Sequence, residues 1–285
     1  MNEVGTSLWH HAWLRLKQNK LSTASGLMLL LILVLVIFAP FISPYDSEFI
    51  DWENMSIPPD FATSHYFGTD MMGRDLFVRT LQGGRISLLV GFVATFVSLI
   101  IGVSYGAIAG FYGGKVDSIL MRIVDILYAL PFMFIVIVLM VLFGQHLFLI
   151  FAAIGGYIWL DMARIVRGQT LSLKNKEFIE AAFAIGANNA SIIFKHIVPN
   201  LLGIVIIYIT LTIPQVILVE SFLSFLGLGV QEPLTSWGAL VNEGASDMEI
   251  APWSLLFPAI FLAITLLSFN FIGDGLRDAL DPKEK

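Results

Sequence analysis

Cysteine is absent from this 285-residue sequence, and charged residues make up only 13% of it. The first absence excludes disulfide bonds and thiolate metal sites. The second argues against an ordinary soluble domain, in which about 25% of residues are charged. Hydrophobic residues account for 57% of the chain. Because a buried core cannot take up so many apolar side chains, most of the surface must face lipid.

The sequence also lacks the motifs of nucleotide binding. Its closest approach to a phosphate-binding Walker A loop is AGFYGGKV, at residues 109–116. That loop needs glycine where Ala109 stands and serine or threonine where Val116 stands, so the phosphate cradle is not specified. An HExxH metalloprotease motif is missing, and no plausible Ser-His-Asp set can be placed. We therefore expect no catalytic residue, no metal or cofactor bound by this chain, and no nucleic-acid partner.

Six apolar runs approach the roughly 20 residues that a membrane-spanning helix needs. They are residues 24–42, 86–109, 119–143, 147–160, 203–226 and 254–272. The fourth run is the weakest, because Gly155, Gly156 and Asp161 interrupt it. The first is too long for the apolar core of a signal peptide, so we interpret it as an uncleaved anchor. The predicted fold is an all-α integral membrane protein with six transmembrane helices.

The positions of lysine and arginine predict the orientation, because cytoplasmic segments are enriched in these residues. With the N-terminus inside, thirteen of the sixteen positive residues lie in cytoplasmic segments. The other three, Arg74, Arg79 and Arg85, lie in the long outer segment. Residues 44–75 also hold seven acidic residues against one arginine. We therefore expect a multi-pass membrane protein with both termini in the cytoplasm.

This topology divides the chain into five parts. They are a cytoplasmic interfacial segment at residues 1–23, the first anchor at 24–43, an extracytoplasmic loop at 44–85, a five-helix core at 86–272 that includes a cytoplasmic coupling loop at 166–200, and a cytoplasmic tail at 273–285.

The first of these parts has the pattern of a helix lying on a membrane surface. Trp9, Trp13 and Leu16 share one helical face, while basic residues take other positions. An ordinary flank before the anchor explains the same residues.

The segment NKEFIEAAFAIGANNASIIFKHIVPN, residues 175–200 and here called the island, is polar between two apolar runs. Its apolar residues recur at helical spacing while its polar residues take other faces: Phe178, Ala181, Ala182 and Ile185 against Glu177, Glu180 and Asn188. Gly186 can adopt positive φ and so bend the chain. Pro199 is expected to end a second helix before the next span. The island is therefore predicted to be a helix, a bend and another helix, projecting into the cytoplasm.

Within the island, EAAFAIGANNASIIFKHIVP resembles the EAA signature of ABC importer permeases. The matching positions are Glu180, Ala181, Ala182, Gly186 and Pro199. Five further stretches resemble the second, C-type permease of oligopeptide, dipeptide and nickel importers: FGTDMMGRDLFVR (67–79), GGRISLLVG (83–91), GGKVDSILMRIVD (113–125), SFLSFLGLGVQEPLTSWG (221–238) and GDGLRDALDP (273–282). These motifs are co-linear and cover nearly the whole chain.

The resemblance implies that the island is a coupling helix, which sits in a cleft of a separate ATPase subunit. Its implied contact residues are Phe178, Glu180, Ala181, Ala182, Phe183, Ile185, Gly186 and Asn188. The implied partners are a homologous permease subunit, two ATPase subunits that bind ATP and Mg, and an extracytoplasmic binding protein that delivers peptide. An island packed only on its own bundle is the structural alternative.

Two other functions remain open at this point. The same machine would import nickel or a metal–chelator complex if its binding protein selected that cargo. A membrane scaffold that docks a cytoplasmic partner without moving solute would also use the island. That second function leaves Pro131, Pro214 and Glu220 unexplained.

These three residues are the candidates for the translocation path. Glu220 lies deep in a predicted span, where a carboxylate costs roughly 2.5–3.5 kcal/mol on insertion scales. It therefore either lines the path or forms hydrogen bonds that hold helices together. Pro131 and Pro214 lie within spans and are expected to kink them. Such kinks act as hinges in some membrane proteins and are only structural in others.

The outer-loop motif GTDMMGRD combines turn residues with charges, at Gly68, Thr69, Asp70, Gly73, Arg74 and Asp75. Either an internal ion pair braces the loop, or the motif meets the external binding protein together with the acidic stretch before it and QEPLTSWG. Two further charge pairs at i and i+3 are predicted to clamp helices near the inner surface: Arg122 with Asp125, and Asp161 with Arg164.

Overall fold

The computed structural model describes residues 8–280, which are predominantly helical. Eleven α-helices lie within this range: α1 Leu8–Gln18, α2 Lys20–Ile42, α3 Leu76–Tyr112, α4 Gly114–Ala129, α5 Phe132–Phe143, α6 Leu147–Leu173, α7 Glu177–Ala184, α8 Asn189–Ser191, α9 Val198–Phe225, α10 Trp237–Ser246 and α11 Pro252–Leu280. A π-helical segment, Ile192–Ile197, joins α8 to α9. In the same range, β-structure is limited to two isolated bridges in the loop between α2 and α3.

Five of the described helices are long and apolar enough to cross a membrane, and the bent pair α4–α5 makes six if it counts as one span. This confirms the all-α membrane class. Several helices extend beyond the apolar runs, among them α3 and α11. α3 begins at Leu76 because the Asp75 carboxylate caps it, accepting a hydrogen bond from the Val78 amide at 2.9 Å. α11 continues to Leu280, so the first residues of the predicted tail are helical.

The weak fourth run forms one continuous helix, α6. Gly155, Gly156 and Asp161 do not interrupt it. The Ala94 carbonyl oxygen would lie 3.2 Å from a β-carbon at Gly155. That glycine therefore allows close packing against α3, and the apolar pattern weakens there without breaking the helix.

The third run is broken into two helices. α4 ends at Ala129, α5 begins at Phe132, and the two axes differ by 77°. Leu130 takes an extended conformation, as expected for a residue that precedes proline. Pro131 thus separates two helices, which is a larger effect than the predicted kink. In contrast, α9 continues as one helix through Pro214.

Helices α3 and α6 pack closely along a stripe of glycines in α3. Gly102, Gly106 and Gly110 stand four residues apart and therefore share one helical face. A β-carbon at Gly102 would lie 2.6 Å from the Met162 β-carbon, and one at Gly110 would lie 2.7 Å from the Thr170 β-carbon. The absence of side chains on this face lets the two backbones approach each other.

The end of the bundle that carries residues 43–75 and α10 is here called the loop end. Trp237, at the start of α10, is fully buried and donates its indole N–H to the Thr80 carbonyl at 2.9 Å. Phe67 stacks on Phe257 of α11 with 4.0 Å between ring centroids. The Trp253 indole donates to the Thr69 carbonyl at 3.0 Å. These contacts fasten the long loop and α10 onto the spanning helices.

Helix α1 joins α2 through a sharp turn at Asn19, whose side chain accepts hydrogen bonds from the amides of Leu21 and Ser22. Ala12 is buried while Trp13 is 56% exposed, and Lys17 lies 5.0 Å from the Trp13 ring centroid. A helix with one buried and one exposed apolar side fits the predicted interfacial segment. The Trp9 side chain and residues 1–7 lie outside the described part of the chain.

The glycine stripe generates a stability prediction. Gly106→Ala places a β-carbon against the Ala163 carbonyl oxygen and 2.9 Å from the Arg167 amide nitrogen. Such overpacking typically costs about 1–3 kcal/mol. We expect a lower thermal unfolding midpoint in detergent.

The matched control is Gly156→Ala, since no atom lies within 4 Å of that added β-carbon. It should leave the midpoint unchanged or raise it slightly. Equal effects of the two substitutions would contradict the close packing of α3 on α6.

Candidate functional site

The island folds as a short helix, a bend and a second helical run. After α7, Gly186 adopts φ +82°, and its amide donates to the Phe183 carbonyl at 3.0 Å. The Ala187 amide donates to the Ala182 carbonyl, so α7 ends on paired backbone groups. Asn188 then caps α8 by accepting from the Ser191 amide at 2.7 Å. The predicted helix–bend–helix shape is therefore present.

The expectation that Pro199 ends the second helix is wrong. Helical structure continues from Asn189 to Phe225, with Pro199 in the first turn of α9. The Val198 amide donates to the Ile193 carbonyl, five residues back, because the π-helical segment widens the turn there. Asn200 donates its side-chain amide to the His196 carbonyl at 2.6 Å. Together these features carry the helix past a residue that lacks an N–H.

The buried face of α7 differs from the predicted one. Ile179 and Ala182 are buried and belong to one core cluster with residues of the π-helical segment. Of the four apolar residues predicted to share a face, Ala182 alone is buried, while Phe178, Ala181 and Ile185 are exposed. Helical spacing alone did not separate these two sides because both carry apolar residues.

The outward side of α7 therefore presents apolar groups without cover from this chain. Ile185 is 83% exposed, Phe183 is 49% exposed and Phe178 is 39% exposed. One face of the Phe183 ring stacks on Phe111, with 6.1 Å between the ring centroids. Glu180 and Asn188 are exposed beside them. Apolar side chains clustered in this way form a surface suited to another protein.

The C-terminal half of α6, which leads into the island, is tied to α4 by charged residues. The Arg167 guanidinium donates two hydrogen bonds to the Asp117 carboxylate, at 2.5 and 2.6 Å. Arg164 contacts Asp125 at 2.8 Å and lies over the Tyr128 ring. The predicted clamp is thus an ion pair between two helices. It joins Arg164, from the predicted pair Asp161–Arg164, to Asp125, from the predicted pair Arg122–Asp125.

The outer-loop motif forms an ion network inside the chain. The Arg74 side chain contacts Asp70 at 2.7 Å, Glu232 at 2.7 Å and Glu243 at 3.3 Å. Arg79 contacts Asp70 at 2.6 Å and Glu243 at 2.7 Å. The network joins the loop to α3, to α10 and to the segment before α10. It matches the bracing alternative, and a surface role for its exposed members stays open.

The remaining residues of the motif make structural contacts. Asp75 caps α3 and also lies 2.8 Å from the ring nitrogen of buried His65. The Thr69 hydroxyl donates to the Asn54 carbonyl at 2.6 Å. Gly68 and Gly73 both adopt φ +77°, and their backbones pass close to Ile57 and Asp51. These contacts hold the loop against itself.

A cleft of about 520 Å³ opens beside the ion network and is lined by Asp70, Arg74, Glu232, Glu243 and Asp247, among others. The hydrogen bond from Arg74 holds the pKa of Glu232 below its usual range. Burial raises the pKa of Asp247, and repulsion from Asp70 and Glu243 raises it further. Asp247 is thus a carboxylate whose charged form is disfavoured by its surroundings.

Glu220 is fully buried among hydroxyl groups close to this cleft. Its carboxylate accepts hydrogen bonds from Ser224 at 2.7 Å and from Ser87 at 3.0 Å. Ser236, the N-cap of α10, bonds in turn to Ser224 at 3.2 Å. The Trp237 amide donates to Ser87 at 3.1 Å. Glu220 therefore links α3, α9 and α10, which fits the alternative that it holds the fold.

The three residues predicted for the translocation path are not brought together in this conformation. Pro214, like Glu220, is buried within the chain, whereas Pro131 is exposed at the break between α4 and α5. Gln215, next to Pro214, is exposed on the same helix. Neither buried residue reaches a surface that solute can contact here.

Several residues at these sites were not predicted. Arg79 and Glu243 complete the outer network, and Arg167 with Asp117 forms the bidentate pair. Partners in these contacts are separated by 164 and 50 positions in the chain, so local spacing carries no signal for them. The sequence analysis used these arginines only to predict the orientation of the chain, and it did not identify their partners.

Comparison with known families gives two matches. The model of the family described as "Binding-protein-dependent transport system inner membrane component" matches residues 102–285. The model described as "N-terminal TM domain of oligopeptide transport permease C" matches residues 7–59.

Curated relatives are similar along the whole chain. The oligopeptide transport system permease protein OppC of Haemophilus influenzae is 57% identical, over 100% of this chain and 92% of that protein. The protein of the same name from Escherichia coli strain K12 is 58% identical, over 99% of this chain and 93% of that protein. The dipeptide transport system permease protein DppC of Bacillus subtilis is 48% identical, over 95% and 85%.

The position of Asp247 generates a pH prediction. Because its pKa is raised in the folded protein, ionisation of Asp247 favours unfolding once the pH exceeds the ordinary value of 3.8. Asp247→Asn should therefore raise the thermal unfolding midpoint at pH 7. The gain should shrink as the pH falls and disappear below 3.8, where both states are protonated.

Glu249→Gln is the control, since it removes an acidic residue two positions away that does not line the cleft. A gain for Asp247→Asn that persists unchanged at low pH would contradict the proposed cause.

Proposed function

Since the chain belongs to the family of binding-protein-dependent transport system inner membrane components, we propose that it is a permease subunit of an ATP-driven peptide importer. The observation that carries this proposal is its 57–58% identity, over nearly its full length, to oligopeptide transport permeases. The predicted absence of a nucleotide site on this chain fits a subunit that takes its energy from another protein. Its spans would form half of the path through a bacterial inner membrane.

The island is the proposed coupling element. Its outward side presents Phe178, Phe183 and Ile185 to a cytoplasmic ATPase subunit, while Ile179 and Ala182 fasten it to the bundle. The apolar exposure supports this role over that of a solvated loop helix. ATP and Mg would bind on the ATPase subunits, two of which serve the complete transporter.

Movement of the island would be transmitted to the membrane through α6. The pair Arg167–Asp117 and the contact Arg164–Asp125 connect α6 to α4 on this route. The break at Pro131 then allows α4 to change its angle to α5. This break and Pro214 are the candidate hinges for alternating access. On α9, the exposed polar side chain of Gln215, next to Pro214, would contact the solute.

The remaining partners follow from the same proposal. A homologous permease subunit completes the path, and an external binding protein delivers peptide at the loop end. This orientation puts the island and both termini in the cytoplasm, as the positive residues predict. The acidic and apolar surface of residues 44–67 is the proposed dock, since the ion network occupies most of the charges that follow it.

Peptides are the preferred cargo because the similar proteins are named as oligopeptide or dipeptide permeases. Nickel or a metal complex, the alternative cargo, is not favoured by these identities. A scaffold without transport is disfavoured by the same identities.

Uptake by the reconstituted complex tests the function. We expect liposomes that hold the purified complex, its binding protein and ATP to accumulate labelled oligopeptides. A non-hydrolysable ATP analogue should abolish accumulation. Uptake of nickel without uptake of peptide would show that the cargo is a metal. Binding of the ATPase without uptake of any solute would favour the scaffold function.

Paired substitutions test the coupling role of the island. Ile185→Asp places a charge on the most exposed apolar residue of the outward side, and Gly186→Val forces a β-branched residue to adopt φ +82°. We expect both variants to insert normally and to lose about tenfold or more of the peptide imported per ATP hydrolysed, since one lost contact is worth about 1.4 kcal/mol.

Each variant has a control at its own position. Ile185→Leu keeps the apolar contact, and Gly186→Asn keeps a residue that tolerates positive φ. Both should import peptide at close to the normal ratio. Normal coupling in Ile185→Asp and Gly186→Val would remove the island from this role, while ATP-driven uptake itself would stand.

A further inference from the structure

A second cleft lies at the loop end, between the last turns of α2 and the first turns of α3. Its volume is about 380 Å³, within the range of small-molecule sites. Val36 and Ala39 form an apolar wall on α2, and Gln82 and Arg85 line the α3 side. Polar groups of the segment that follows α2 complete it: Ser43, Asp46 and Ser47. One end of the cleft is therefore apolar and the other is polar.

The cleft lies beside the ends of the apolar stretches of α2 and α3, where the headgroup layer of a bilayer is expected. Arg85 immediately precedes the apolar run that starts at residue 86, and its guanidinium donates to the Ile37 carbonyl of α2 at 3.4 Å. Only 28% of the apolar stretch of α2 is buried, and Phe38 and Phe41 nearby are 51% and 85% exposed. Exposed apolar rings on a spanning helix are suited to contact with lipid.

Arg85 is distinguished from the other two arginines of this end. Arg74 and Arg79 are held by carboxylates, whereas Arg85 forms no ion pair with any residue between 8 and 280. The side-chain oxygen of Gln82, one helical turn earlier, is buried and has no hydrogen-bond partner in the same described range. The cleft thus holds an exposed cation that no carboxylate of the described residues neutralises.

We propose that this cleft binds the headgroup of a zwitterionic aminophospholipid. The phosphodiester accepts hydrogen bonds from Arg85 and from the Ser43 hydroxyl, and the ammonium lies toward Asp46. The first acyl carbons then lie at the apolar end of the cleft, beside Val36 and Ala39. Because Arg85 and Asp46 balance each other, a lipid that carries phosphate without an amine leaves the Asp46 carboxylate without a counter-charge.

This site is separate from the island, and its residues Asp46 and Ser47 border on the proposed dock at residues 44–67. It would fasten the outer end of the peripheral helix α2 to the bundle through a bound lipid. A guanidinium–phosphate contact is charge-assisted and therefore stronger than a neutral hydrogen bond.

Native mass spectrometry of the full chain in detergent tests the proposal. Wild type should retain phosphatidylethanolamine about tenfold better than Arg85→Gln, since the lost contact is charge-assisted. Arg85→Lys should keep most of the binding, because it keeps the positive charge at this position. Asp46→Asn should reduce the preference for phosphatidylethanolamine over phosphatidylglycerol.

Lys115→Gln is the matched control. It removes one exposed positive charge beyond the other end of α3 and should retain the lipid as wild type does. Equal retention by wild type and Arg85→Gln would overturn the proposal, as would an equal loss in Lys115→Gln. Displacement of the lipid by inorganic phosphate at the same concentration would also overturn the proposal. The cleft would then bind any phosphate-like anion, and neither the amine nor the acyl chains of the lipid would contribute to binding.

Discussion

The close approach of α3 and α6 is the contact on which the rest of the structure depends. Three glycines in α3 let the α6 backbone lie against it. A β-carbon at any of these three positions would come within 3 Å of atoms of α6. α6 leads directly into the island, and α3 begins at the ion network of the loop end. One rigid pair of helices therefore connects the surface proposed to meet the ATPase with the surface proposed to meet the binding protein.

Polar groups in the bundle serve mainly to join elements that are distant in the chain. Glu220 accepts hydrogen bonds from serines of α3 and α9, and the N-cap serine of α10 completes the cluster. Arg74 and Arg79 bring the loop motif to α10. A charge that is removed from water must be paired, so each such group constrains which helices can be neighbours. Only the charges left without such partners, such as Arg85, remain available for ligands.

The break between α4 and α5 separates a fixed part of the chain from a less constrained one. α4 is joined to α3 and α6 by polar contacts at Asp117, Leu120 and Asp125 and by the packing of Val124, whereas many of its other residues are exposed. An element held in this way can change its angle without disturbing the α3–α6 pair. The proposed route from the island to the path therefore uses hydrogen bonds that span helices and a proline at the break.

The sequence by itself determined the membrane class, the six apolar runs and the shape of the island, because apolar length and helical periodicity are local properties. It also marked Glu220 as constrained, since a carboxylate deep in a membrane span is costly wherever it occurs. Tertiary structure alone decided which side of α7 is buried, that Pro199 stays within a helix, and which carboxylates Arg74, Arg79 and Arg167 meet. These outcomes depend on contacts between residues far apart in the chain, and neither the spacing nor the composition of a single segment contains them.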